Sequence, residues 1–133
     1  MKFKHTLTLK SEFEEAEKAL EVIDLLESEL QISPDLSAKL MLAISEATTN
    51  AIVHGNKENP ELSVLVETTA DDKAIYISVK DEGGGFTPSS VPDPTDEENL
   101  LKTSGRGVFL MNEVADDVQY SENGTKITLI FNR

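Results

Sequence analysis

The sequence predicts an α+β fold, a two-layer α/β sandwich whose mixed, mostly antiparallel sheet carries its helices on one face. Three observations predict it. Alternating apolar and polar runs recur as strands, and four of them come in pairs separated by short turn-like segments. Two amphipathic helical runs stand between the first strand and the first of these pairs, and a short third one precedes the second pair. Strands joined by tight turns pair antiparallel, and so few helices suffice to cover only one face of the sheet.

The elements follow in chain order. KFKHTLTL, residues 2–9, alternates Phe3, Leu7 and Leu9 with polar residues and reads as a first strand, with His5 as an exposed interruption. Ser11 is expected to cap the first helix and Glu14 to complete a capping box, ahead of Phe13, Ala16, Leu20, Ile23, Leu26 and Leu30. Ser33-Pro34-Asp35 starts a second helix, in which Leu36, Leu40, Ile44, Ala47 and Ala51 recur at spacings of three and four until His54-Gly55 closes it. LSVLVETT and KAIYISVK, separated by Ala70-Asp71-Asp72, form a hairpin. Residues 86–104 are too rich in proline and acid for a core. A short helix fits Gly107, Leu110, Met111 and Val114, and DVQYS and TKITLIF are joined by Glu122-Asn123-Gly124, a strong hairpin signal.

Length and charge bound the function. With 133 residues the chain fits one domain, residues 1–133, large enough to bury a core without staples. It has no cysteine, which excludes disulfides and thiolate-held zinc or iron–sulfur clusters. No secretory leader or membrane span is visible, so the expectation is a cytoplasmic domain that does not bind membrane. A net charge of −13 repels phosphodiester backbones and argues against direct nucleic-acid binding. An anionic ligand must meet a local cluster of donors or a metal.

Three stretches carry chemistry. In KDEGGGF, residues 80–86, Asp81 ends a strand expected to be central, where a carboxylate is costly without a partner. Neither a dinucleotide-binding loop nor a P-loop fits, because Phe86-Thr87-Pro88 leads into a loop and no Gly-Lys-Ser/Thr occurs. The plain reading is a surface turn in which glycine supplies a positive φ. The functional one is that Asp81 accepts a hydrogen bond from the exocyclic amine of a base lying against bare glycine backbone. In SGRGVFLMNEV, residues 104–114, Gly105 and Gly107 leave N–H groups unshielded at a helix start and Arg106 adds a cation, a ready phosphate site. A flexible loop-to-helix transition is the plain alternative. In SEATTNAIVHGN, residues 45–56, Glu46 and Asn50 are stacked one turn apart on a mostly covered helix. Asn50 offers the neutral oxygen that Mg²⁺ accepts, and Glu46 a base; an isolated hydrogen-bonded surface pair is the alternative.

Together, and in this order, the three stretches resemble the GHKL (Bergerat-fold) ATP-binding superfamily of gyrase, histidine kinases and MutL. Glu46 to Asn50 reads as its N-box, Asp81-x-Gly83-x-Gly85 as its first glycine box, residues 87–104 as its lid, Gly105-x-Gly107 as its second glycine box, and Gly124-Thr125 as its terminal element. Within the superfamily, ISEATTNAIVHGN and SGRGVFLMNEVADDV are most similar to the anti-sigma-factor serine kinases of bacterial partner switching. The resemblance implies an ATP-dependent serine protein kinase that phosphorylates an anti-sigma-factor antagonist and sequesters a sigma factor, with ATP/ADP and Mg²⁺ as cofactors and a homodimer as its assembly. It assigns Asp81 to the adenine amine, Gly83 and Gly85 to the room for the ring, Asn50 to Mg²⁺, Gly105, Arg106 and Gly107 to the phosphates, Thr125 to the neighbourhood of the adenine, and Glu46 to catalysis as base. A sensor histidine kinase would need a phosphoacceptor helix, and gyrase or MutL a transducer domain, for which no residues remain; His54 sits at a helix end that simply favours a cation. The alternative from another class is a regulatory module that holds nucleotide without kinase activity.

Overall fold

The computed structural model of the chain describes residues 3–83, 110–121 and 125–133. Five strands, β1 (Phe3–Lys10), β2 (Ser63–Ala70), β3 (Ala74–Lys80), β4 (Asp117–Ser121) and β5 (Lys126–Asn132), form one sheet in the order β1-β2-β3-β5-β4. Every described pairing is antiparallel, so the parallel component expected of a mixed sheet is not found among the described residues. Alternation sets which face is covered: Val64, Val66, Thr68 and Ala70 of β2, Ile75, Ile77 and Val79 of β3, and Ile127, Leu129 and Phe131 of β5 are buried. The helices lie on that face.

Between β1 and β2 the chain runs through a 3₁₀ helix (Phe13–Leu20), α1 (Glu21–Leu30), α2 (Pro34–Thr49) and a π-helical stretch (Asn50–Gly55). α2 starts as expected: the Ser33 hydroxyl accepts from the Leu36 N–H at 3.1 Å, with Pro34 in the first turn, where its missing N–H costs nothing. Leu40, Ile44, Ala47 and Ala51 are buried in one core cluster with Val22, Ile23, Leu26 and Leu30 of α1. Residues 110–114 are helical and seat Met111, which is 1% exposed, in the same core. The β2–β3 hairpin turns where Asp71 Oδ1 accepts from the Lys73 and Ala74 N–H groups. The β4–β5 pair also forms, while its turn, residues 122–124, lies outside the described residues.

The start of the first helix differs from expectation. Glu12 occupies the N-cap position without a side-chain hydrogen bond, so the Ser11–Glu14 capping box does not form. Ser11 is fully buried instead, and its hydroxyl donates to the Leu62 carbonyl at 2.7 Å, 51 residues away. Relieved of a side-chain cap, the helix opens as a tighter 3₁₀ turn before becoming α-helical at Glu21. His5 is half-buried rather than exposed, because it shares the inward side of β1 with Phe3 and Leu9.

Candidate functional site

β3 is the middle strand, and Asp81 stands one residue beyond its end, 7% exposed. Each N–H from Asp81 to Gly83 has an acceptor. Asp81 N–H donates to the Thr125 carbonyl at 2.8 Å, Glu82 N–H to Asn56 Oδ1 at 2.8 Å, and Gly83 N–H to Asp81 Oδ1 at 2.8 Å. The carboxylate is therefore held by one oxygen, and Oδ2 accepts no hydrogen bond among the described residues. Burial pushes the Asp81 carboxyl above its usual range, and the Gly83 N–H opposes that rise by favouring the charged form. A desolvated acceptor with one oxygen unused suits a ligand donor.

The helix end supplies the other wall. A Cβ on Gly55 would lie 2.4 Å from both Cγ and Oδ2 of Asp81, and one on Gly83 would lie 1.8 Å from the Gly55 carbonyl oxygen. Neither glycine has a positive φ, so space rather than turn geometry requires them. The π-helical stretch makes this meeting: its wider turn ends with the Asn56 N–H donating to the Ala51 carbonyl at 2.8 Å and brings Gly55 against Asp81. In the sequence Gly55 reads only as a helix terminator, and nothing marks Asn56. The signal for Gly55 was a glycine at the end of the helix that carries Glu46 and Asn50; the signal for Asn56 was absent, since its partners are distant in sequence.

The structure thus gathers Asp81, Gly83 and the Thr125 backbone, with Gly55 as an unforeseen member. Glu46 and Asn50 lie upstream on the helix that ends at Gly55, both half-buried, about 6 Å apart along its axis. Neither side chain is hydrogen-bonded to another described residue, which leaves the Asn50 carbonyl available to a hard cation such as Mg²⁺. No cluster of three His, Cys, Asp or Glu that could hold a metal unaided occurs among the described residues. Gly85, Gly105, Arg106 and Gly107, with the lid of residues 87–104, lie outside the described residues. His54 is exposed at the end of the π-helical stretch. A cavity of about 430 Å³ opens elsewhere, lined by Leu36, Val114 and Phe131; β5 runs antiparallel to β3, so it sits at the opposite end of the sheet from Asp81 and includes none of these residues.

The family model of the histidine kinase-like ATPase domain matches residues 9–131. The chain belongs to this family. The GHKL resemblance and its α+β fold are thereby borne out, and a domain of this kind binds ATP. The anti-sigma F factor of Bacillus subtilis is 35% identical over 108 residues, 77% of this chain and 73% of that protein. The anti-sigma F factor of Heyndrickxia coagulans is 38% identical over 97 residues, 65% of this chain and 63% of that protein. The serine-protein kinase RsbW of Staphylococcus epidermidis is 37% identical over 98 residues, 67% of this chain and 61% of that protein. No helix among the described residues is long and apolar enough to cross a membrane.

Proposed function

We propose that the chain is an ATP-dependent serine protein kinase that phosphorylates an anti-sigma-factor antagonist and sequesters a sigma factor in the cytoplasm. The observation that carries the nucleotide half is Asp81, desolvated, held by one oxygen, and walled by two glycines that tolerate no side chain. The kinase and anti-sigma half is supported by relatives that bear those names at 35% and 37% identity. The family match over most of the chain supports one domain across residues 1–133.

In this reading Asp81 accepts from the adenine amine, beside the Thr125 carbonyl and with Gly83 and Gly85 leaving room for the ring. Gly105, Arg106 and Gly107 hold the phosphates. Asn50 would hold Mg²⁺ through its side-chain carbonyl, and the ion, when bound, neutralises charge on the phosphate oxygens. Glu46 accepts the proton of the antagonist's serine hydroxyl as its oxygen bonds to the γ-phosphorus and the bond to the β,γ-bridging oxygen breaks, releasing ADP. A homodimer is part of the same reading. The acidic surface, net −13, suits a basic, DNA-binding partner such as a sigma factor.

Incubation with γ-labelled ATP and the antagonist encoded beside the gene tests this. Phosphoserine on the antagonist is expected with wild type, and a loss of about 10²-fold or more with Glu46→Gln at retained ADP affinity. Equal phosphorylation by both would remove Glu46 from its role. Nucleotide binding without phosphoserine would leave the non-catalytic module as the function.

A further inference from the structure

Asn56 joins three parts of the fold that meet beside Asp81. It is 2% exposed, and three of its four side-chain hydrogen-bonding positions are filled: Nδ2 donates to Ser11 Oγ at 2.7 Å and to the Ser63 carbonyl at 3.0 Å, while Oδ1 accepts from Glu82 N–H at 2.8 Å. Ser11 passes the chain on to the Leu62 carbonyl, and the Ser63 N–H donates to the Glu82 carboxylate. The end of β1, the start of β2 and the turn after β3 are thus tied to one amide. The two residues after Asn56, Lys57 and Glu58, hold φ values of 52° and 57°, a left-handed conformation that side chains rarely adopt and that persists only where the surroundings fix it.

The part of this network that reaches beyond loop closure is the bond to Glu82. Glu82 is exposed, so burial does not hold it. It is also the residue between Asp81 and Gly83, and a turn of its backbone would carry the Gly83 N–H away from Asp81 Oδ1 and release the carboxylate to rotate. We infer that Asn56 is a positioning residue for nucleotide recognition: by fixing Glu82 N–H it keeps Asp81 Oδ2 in one direction, which makes it a determinant of adenine over guanine. Adenine presents an amine at position 6 to that oxygen, whereas guanine presents a carbonyl that a carboxylate repels. The inference rests on the nucleotide reading above and goes beyond it in assigning selectivity to a residue that is 2% exposed and acts through the Glu82 N–H rather than on the base itself.

Calorimetric titration of ADP and GDP into the full chain, in wild type, Asn56→Ala and Ser11→Ala, with folding checked by circular dichroism, tests it. Wild type should prefer ADP. In Asn56→Ala the ADP/GDP affinity ratio should fall about tenfold, the effect of one buried hydrogen bond, and Ser11→Ala, which loosens the amide but keeps its bond to Glu82, should fall between. Folded variants with lower stability but the wild-type ratio would overturn the positioning role and leave Asn56 as a structural tie. Should Asn56→Ala fail to fold, Ser11→Ala decides between the same outcomes. A wild-type chain that binds neither nucleotide would overturn the nucleotide reading itself, and the inference with it.

Discussion

A methyl group at residue 55 has nowhere to go, since its carbon would fall 2.4 Å from the Asp81 carboxylate. Gly55→Ala is expected to push Asp81 aside, costing about 1–3 kcal/mol of stability through overpacking and about tenfold or more in ADP affinity, because a displaced acceptor no longer meets its donor. Urea unfolding and ADP titration check both, and wild-type affinity would contradict the contact. Asp81 itself should respond to pH with two opposite signs. Its folded pKa is raised above the ordinary value of 3.8 by burial, so the folded chain binds more protons than the unfolded one between the two values. Stability of the nucleotide-free protein therefore falls as pH rises through that window, and the penalty is fully present above the folded value. ADP binding runs the other way, weakening as pH falls through the folded value and the acceptor is protonated. Asp81→Asn, which keeps an oxygen for the Gly83 N–H, should remove the pH-dependent penalty; urea midpoints of both proteins between about pH 4 and 7 would diverge as pH rises.

Among the elements, α2 was legible and the helix before it was not. Ser33-Pro34 marks a start by contacts within four residues, and the periodic run from Leu40 to Ala51 is buried as spaced. Ser11 and Glu14 present an equally good local pattern, but Ser11 serves Leu62 and Asn56 across the fold, a competition that no local pattern reveals. The widening of the helix at Asn50 was likewise invisible, since α- and π-turns use the same residues and only the packing of Gly55 on Asp81 distinguishes them. β2 carries a cost that the same logic exposes. Thr68 is fully buried, and its hydroxyl has no hydrogen-bond partner among the described residues. Thr68→Val keeps the shape and the β-branch and removes the orphaned hydroxyl, so a gain of about 1 kcal/mol is expected in urea unfolding, with ADP affinity unchanged. A loss of stability would mean that the hydroxyl has a partner after all.

At the scale of the molecule, an antiparallel sheet with helices on one face brings two sequence-distant ends together: the C-terminal end of the helix carrying Glu46 and Asn50, and the end of the central strand carrying Asp81. The fold class, the strand pairs and the placing of an acid, Asp81, at the end of the central strand could be read from alternation and helical periodicity. The wall of the site could not, because Gly55 and Asn56 acquire their roles from partners 26 residues away in the 81–83 turn, which only the folded chain supplies. The cavity at the other end of the sheet shows the converse, a hollow that holds none of the chemistry. Everything proposed for the chain depends on an adenine nucleotide seated at Asp81. Titration of Mg-ADP into the wild-type chain and into Asp81→Asn, both confirmed folded, measures this most directly: saturable heat from the first and none from the second is expected. Equal heats from the two, or no heat from the wild type, would contradict it.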